Sequence, residues 1–354
     1  MKKSVKYIAT VIGNFGGKNY VYGGQTVKTR SIYEQLVKKY GEEKIDYIDT
    51  FNWKKNPLKL IIRIKNAVKN SLNILTLPSR NGIKIFPKLI HTFNKKYQRK
   101  TFYIVIGGWL PEDLSKSNGF YKEIKKFTYI MPETKNLLSQ VNSVREFGED
   151  QVVLLSNFKD IDIQPLNEDI DLSTLKLCTF SRVCKNKGMS DCVEVARKLS
   201  ANHKVLLTFY GPVDEDYKEE FNQLLEENKD IVTYGGSIEP TKSSEVLSKQ
   251  HILLFLSHFT TEGFPGTIID AYAAGIPVFA YWWKNGEELI EQNKTGYYVE
   301  RGNVSILASK IKELILNVEL YIDIRNRCLD NVKKYLPKIA LVPLFERIDG
   351  DYEN

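Results

Sequence analysis

Two carboxylates stand eight residues apart, Glu262 and Asp270, across the run Gly263-Phe264-Pro265-Gly266-Thr267. The glycines let a backbone turn tightly and approach a ligand, and Pro265 is suited to the entry of a helix. Helix entry leaves amides without intrahelical partners around residues 264–267, and such amides attract an anion, above all a phosphate. Glu262, at the loop edge, is placed to accept hydrogen bonds from sugar hydroxyls. Asp270, a turn into the helix, is placed to accept two from a vicinal diol such as ribose. Taken residue by residue, an acidic helix start followed by an ordinary helix–strand joint explains the same stretch. A second group is cationic. Arg182 follows a strand-like run and Lys187 precedes Gly188 at a helix start, with Lys185 as a nearby spare. A planar fork and a point charge at this spacing suit a diphosphate; in isolation a solvated basic loop is the plainer reading. A third group is the loop holding Gly13, Gly16, Gly17, Gly23 and Gly24, which contains no G-x-G-x-x-G dinucleotide fingerprint. Thr26, Lys28 and Arg30 follow it, the last two reading more simply as helix-surface charges.

The elements that must position these groups alternate. Strands are expected at 5–12, 44–49, 72–77, 101–106, 128–131 and 152–155, with helices at 26–39, 57–70 and 134–147 between them. After a polar stretch at 159–173 the alternation restarts. Strands are expected at 175–181, 204–209, 231–234, 252–257 and 277–280, and helices at 188–202, 217–228, 266–274 and 304–317. Strands separated by helices of this length argue for parallel α/β sheets covered on both faces. Two such runs predict two Rossmann-like domains: 1–165, with the tail 337–354 packed back on it, and 166–336. Ligands of open parallel sheets sit beyond the carboxyl ends of the strands, so a cleft between the domains is the expected site.

As a block, "EGFPGTIIDAYAAGIPVFA" resembles the donor-site signature of the retaining glycosyltransferases of family four, which share the two-domain GT-B fold. Glu262, Gly263, Phe264, Ala271, Ala273, Gly275, Pro277 and Val278 match it. The resemblance implies that Glu262 binds the transferred sugar and that the second acid binds the nucleotide's ribose. That second acid is Asp270 where Glu is usual, one methylene shorter, and the loop before Glu262 is longer than usual. Arg182 and Lys187 match, in order and spacing, the cations that hold the donor pyrophosphate in the family. Gly23 and Gly24 correspond to a glycine pair that lets the first loop approach donor phosphates and acceptor. The implied site is thus Arg182, Lys187 and Glu262 for catalysis, with Gly23, Gly24, Gly263, Phe264, Pro265, Gly266, Thr267 and Asp270 binding the donor. The likeness is strong over 175–300 and loose before 120.

Composition bounds the rest. Of 354 residues, 42% are hydrophobic and no apolar run reaches bilayer length, which excludes a disordered or bilayer-spanning chain. The basic-then-apolar start is read as a first strand, because Lys6 interrupts it. Cys178, Cys184, Cys192 and Cys328 make no metal or disulfide pattern and are expected as reduced thiols in the cytoplasm. His91, His203, His251 and His258 lack partners at metal spacing, so neither metal nor cofactor is expected beyond the nucleotide sugar itself, a UDP-sugar by family frequency. Residues 1–160 carry 29 Lys/Arg against 13 Asp/Glu, and the remainder 22 against 30. A basic first half meets a polyanion or an anionic surface. Lys55, Lys59 and Arg63, flanked by Lys65 and Lys69, lie opposite Leu60, Ile61, Ile64 and Val68. A core-packed helix with a solvated face and a helix lying on an anionic membrane read this pattern equally; the charge of the whole half favours the membrane. The expected protein moves a hexose from a nucleotide sugar to a saccharide acceptor, lipid-linked, at the inner membrane face in surface polysaccharide synthesis. A sugar-nucleotide epimerase and a nucleic-acid-binding protein are the alternatives. The latter lacks any stacking motif, so nucleic acid is not an expected partner.

Overall fold

The computed structural model describes residues 5–17, 23–166 and 170–350. The chain divides into two compact units, 1–158 with 337–354, and 159–336. In unit 1, β1 (Tyr7–Gly13), α1 (Gly24–Tyr40), β2 (Ile45–Asp49), α2 (Pro57–Asn70), β3 (Ser71–Leu77) and α3 (Phe86–Asn94) come first. Next are β4 (Lys100–Ile104), α4 (Leu110–Lys116), α5 (Asn118–Ile124), β5 (Tyr129–Met131) and α6 (Lys135–Val144). The five strands are parallel in the order β2-β1-β3-β4-β5. Val11, Ile12, Ile74, Leu75, Phe102 and Ile104 are fully buried, as strands covered on both faces require.

Unit 2 holds β6 (Thr174–Phe180), α7 (Met189–Ser200), β7 (Lys204–Tyr210), α8 (Lys218–Glu227), β8 (Val232–Gly236), α9 (Ser243–Leu247) and β9 (Ile252–Phe255). It continues with α10 (Gly266–Ala273), β10 (Val278–Tyr281), β11 (Gly296–Val299), α11 (Val304–Leu316) and α12 (Val318–Val332). Its sheet order, β11-β10-β9-β6-β7-β8, reverses direction between β6 and β9. That switch point, beyond the strands' carboxyl ends, is where such sheets bind ligands. Helix α7 shows why the segment folds as it does. Met189, Cys192, Val193, Ala196 and Leu199 repeat at helical spacing and are all buried, the larger ones (Met189, Val193, Leu199) contributing about 1.5–3 kcal/mol of burial each. The tail forms α13 (Pro337–Ala340) and α14 (Val342–Asp349), and Leu341, Leu344 and Ile348 join the unit 1 core.

Several expectations are corrected. Residues 152–155 form no strand: Val152 makes one bridge to Ile130, and Leu155 donates its amide to Pro132 instead. Residues 159–165 belong to unit 2, because Ile161 is in its core and Gln164 donates its amide to the Ala273 carbonyl. β11 and α12 were not read from the sequence. Lys28 is no surface charge but is buried against Glu133, 2.7 Å away, whose other oxygen accepts the Gly107 amide. The glycine loop after β1 is held by Asp49, which accepts the amides of Phe15, Gly17 and Phe51.

One buried group makes stability depend on pH. The His251 ring accepts the Lys176 amide at 3.1 Å through Nδ1, which must then be unprotonated. Burial, with Lys176 and Arg325 nearby, lowers its pKa from 6.5 to about 4. Because the folded pKa lies below the unfolded one, its contribution is complete above about pH 6.5 and is lost as pH falls towards 4. Denaturant titrations of wild type and His251→Asn across that window should show a shallower pH slope in the variant; equal slopes would exclude His251 as a source.

Candidate active site

The loop from β9 into α10 carries the first carboxylate. Glu262 is paired with Lys187 through Oε1, and the same oxygen accepts the Ser257 hydroxyl at 2.7 Å. The Lys187 ammonium also lies 5.2 Å from the Phe255 ring and 5.3 Å from that of Phe259. The two charged side chains are about 14–15% exposed: reachable, yet shielded enough for their attraction to count. Lys187 is aimed by Gly188, whose φ of 70° is left-handed, and a Cβ there would lie 2.1 Å from the Leu256 carbonyl oxygen. The loop itself is pinned from the other side. The Trp283 indole donates to the Gly263 carbonyl at 3.2 Å and Asn285 to the Glu262 carbonyl at 2.9 Å. Pro265 caps α10 in extended geometry. Among the described residues, the amides of Gly266 and Thr267 have no acceptor, and the buried Thr267 hydroxyl has no partner. This helix start can receive an anion.

The other expected residues are distributed differently. Arg182 is half exposed and pairs with Asp214 at 3.5 Å. Gly23 and Gly24 stand at the N-terminus of α1, and a Cβ at either would meet nothing within 4 Å among the described residues. The Phe264 side chain is buried, edge-on to Tyr335 with ring centroids 4.8 Å apart, so it packs the core. Asp270 is wholly buried, with Ser243 donating to one oxygen at 2.6 Å and Lys159 paired to the other. A side chain one methylene shorter than glutamate stays close to its helix, and both its oxygens are already occupied within the chain.

Sequence reasoning missed the partners. Ser257, Lys159 and Ser243 carried no signal, being common residue types outside any motif. The His258 Nε2 lies 2.8 Å from Asp191, which also accepts the Tyr281 hydroxyl at 2.7 Å. Burial and that bond push the Tyr281 phenol well above its ordinary pKa. The acids after β7 form no separate site, since Asp214 is the partner of Arg182.

A family model described as glycosyl transferases group 1 matches residues 160–334. A poly(ribitol-phosphate) alpha-N-acetylglucosaminyltransferase of Staphylococcus aureus is 25% identical over 297 residues, covering 79% of this chain and 56% of its own length. The chain thus spans little more than half of that curated relative. A glycosyltransferase from Rickettsia africae superposes with a TM-score of 0.75 at 20% identity, over 99% of both chains. Anabaena HepE, solved in complex with UDP, superposes with a TM-score of 0.73 at 13% identity, over 97% of this chain and 99% of its own. Residues 160–334 thus match the glycosyl transferases group 1, and the fold of the chain is GT-B.

Proposed function

We propose that this chain transfers a hexose from a UDP-sugar to a saccharide acceptor, with retention at the anomeric carbon. One observation carries the reading: Lys187 and Glu262 touch beside a helix start whose Gly266 and Thr267 amides have no acceptor among the described residues. A cation and amide dipoles suit a departing diphosphate, and a carboxylate suits the hydroxyls of the sugar being moved. In the transfer, the bond from the anomeric carbon to the diphosphate oxygen breaks and one to the acceptor oxygen forms on the same face. The acceptor's proton passes to the departing phosphate oxygen. Lys187, Arg182 and the amides of Gly266 and Thr267 stabilise the charge that develops; Glu262 orients the sugar. The solved HepE complex with UDP supports the choice of nucleotide.

The acceptor in this reading is anionic and lipid-linked, a chain in surface glycan assembly. The S. aureus relative is named for a polyol-phosphate acceptor. In unit 1, a cavity of about 480 Å³ is lined by Lys88, Lys95, Lys126, His91 and Glu123 among others. Helix α2 buries Leu60, Ile64, Ala67 and Val68 but leaves Leu58 and Ile62 exposed among Lys55, Lys59, Lys65 and Lys69. Apolar tips within a cationic face suit the surface of an anionic bilayer. Among the described residues no helix is long and apolar enough to cross one.

The test is direct. The full chain, offered UDP-, GDP-, TDP- and ADP-sugars, should be stabilised by a UDP-sugar and should transfer its sugar to a lipid-linked oligosaccharide with the donor's anomeric configuration, read by NMR. An inverted product would remove the retaining mechanism, and interconversion of donors without acceptor would make the protein an epimerase. In flotation, it should rise with phosphatidylglycerol vesicles at low salt and not at high salt; indifference to anionic lipid would leave a soluble acceptor.

A further inference from the structure

The pairing of Asp270 leaves a question that the donor signature does not answer: what meets the nucleotide at this corner of unit 2? The carboxylate is fully buried, its two oxygens taken by Ser243 and Lys159. Lys159 is the more exposed member, at 16% of its side chain against none for Asp270. An ammonium has three N–H donors, and one is spent on Asp270. The other two have no acceptor among the described residues. The ammonium also lies 6.0 Å from the ring of Phe180, the last residue of β6. Lys159 is therefore at the carboxyl end of β6, on the strand pair where the sheet order reverses, and it is tied to α10, the helix that follows β9.

Burying a lone lysine or a lone aspartate is costly, but a paired and hydrogen-bonded one is tolerated. Ser243 satisfies one oxygen of Asp270 and leaves the other to fix a cation. The Lys159 backbone is anchored too, since its amide donates to the Tyr335 carbonyl at 3.2 Å. Clamped at both ends, the side chain loses little further freedom when a ligand arrives, and its remaining donors are set before the ligand comes.

We propose that Lys159 is a nucleotide-contacting residue, donating to the ribose hydroxyl oxygens of the sugar donor, and that Asp270 and Ser243 are positioning residues that hold it there. This assigns the contact to a residue outside the donor signature and turns the second acid from a ligand to a support. It rests on the nucleotide-sugar reading above.

Calorimetric titration of the full chain with UDP, together with steady-state kinetics on the UDP-sugar, tests it. Lys159→Ala should raise both the Kd for UDP and the KM for the donor about tenfold or more, with kcat within about twofold. Lys159→Gln, one bond shorter and uncharged but still able to donate to Asp270, should show the same direction if the alanine variant folds poorly. Lys159→Arg should retain most of the affinity. Asp270→Asn should follow Lys159→Ala, and the double variant should be no worse than either single one, because both remove one contact. If Asp270 itself takes the ribose, Lys159→Ala frees a carboxylate and UDP binds as well or more tightly, which overturns the proposal. Failure of the wild type to bind UDP, GDP, TDP or ADP would overturn the nucleotide reading instead, so the two failures are distinguishable.

Discussion

Lys187→Ala is expected to lower kcat by about a hundredfold to a thousandfold, the usual loss when one fixed donor to a developing anion is removed. The side chain is partly exposed and its main ionic partner, Glu262, keeps the Ser257 hydroxyl, so the fold loses little. The melting temperature should move by only a few degrees, while the KM for donor changes less than kcat, because the charge on the leaving group grows towards the transition state. Lys187→Arg should recover part of the rate but not all, since a planar fork does not reproduce a point charge seated between Phe255 and Phe259. Turnover unchanged in Lys187→Ala would remove this residue, and with it the Lys187–Glu262 pair, from the chemistry.

The residue beside it should behave in the opposite way. Gly188→Ala places a Cβ 2.1 Å from the Leu256 carbonyl oxygen at a φ of 70°. Backbone occupies that space and cannot swing aside as a side chain does. Left-handed strain alone costs about 1–3 kcal/mol, and the clash adds to it, so a loss of roughly 3–5 kcal/mol is expected. For a unit of this size that corresponds to a fall in Tm of about 10 °C. Activity should fall with stability, because the turn that aims Lys187 must move. Scanning calorimetry with parallel rate measurement separates the variants: one loses rate with little loss of Tm, the other loses both. A Gly188→Ala protein melting with the wild type would show that the β6–α7 turn is not confined by Leu256.

Much of the architecture was legible because it is written locally. The run 252–256 is continuously apolar and 72–77 is mostly so, as strands buried on both faces tend to be, and α2 and α7 show their buried stripe at helical spacing. The segment 152–155 has the same apolar look, yet forms no strand, since apolar runs also pack as extended loop. Leu58 and Ile62 illustrate the limit in the other direction: only the packed helix shows that they face outward among the lysines of α2.

The candidate site divides the same way. Glu262, Lys187 and Gly188 were singled out by the resemblance of their whole segments to a donor signature, which is legible because a helix start, a glycine turn and a charge are local features. Partnership is not local. Lys187 and Glu262 are 75 residues apart, Lys28 and Glu133 are 105, and Lys159 and Asp270 are 111. Whether a charge is solvated, spent on a neighbour or left for a ligand depends on which distant segment folds against it. The sequence by itself determined two parallel α/β units, the glycine-containing loop before α10 and the acids and cations near it. Only the tertiary structure decided that Lys28 is buried, that the Phe264 side chain is core, and that Asp270 pairs with Lys159, because desolvation and pairing are set by neighbours that the chain brings together only on folding.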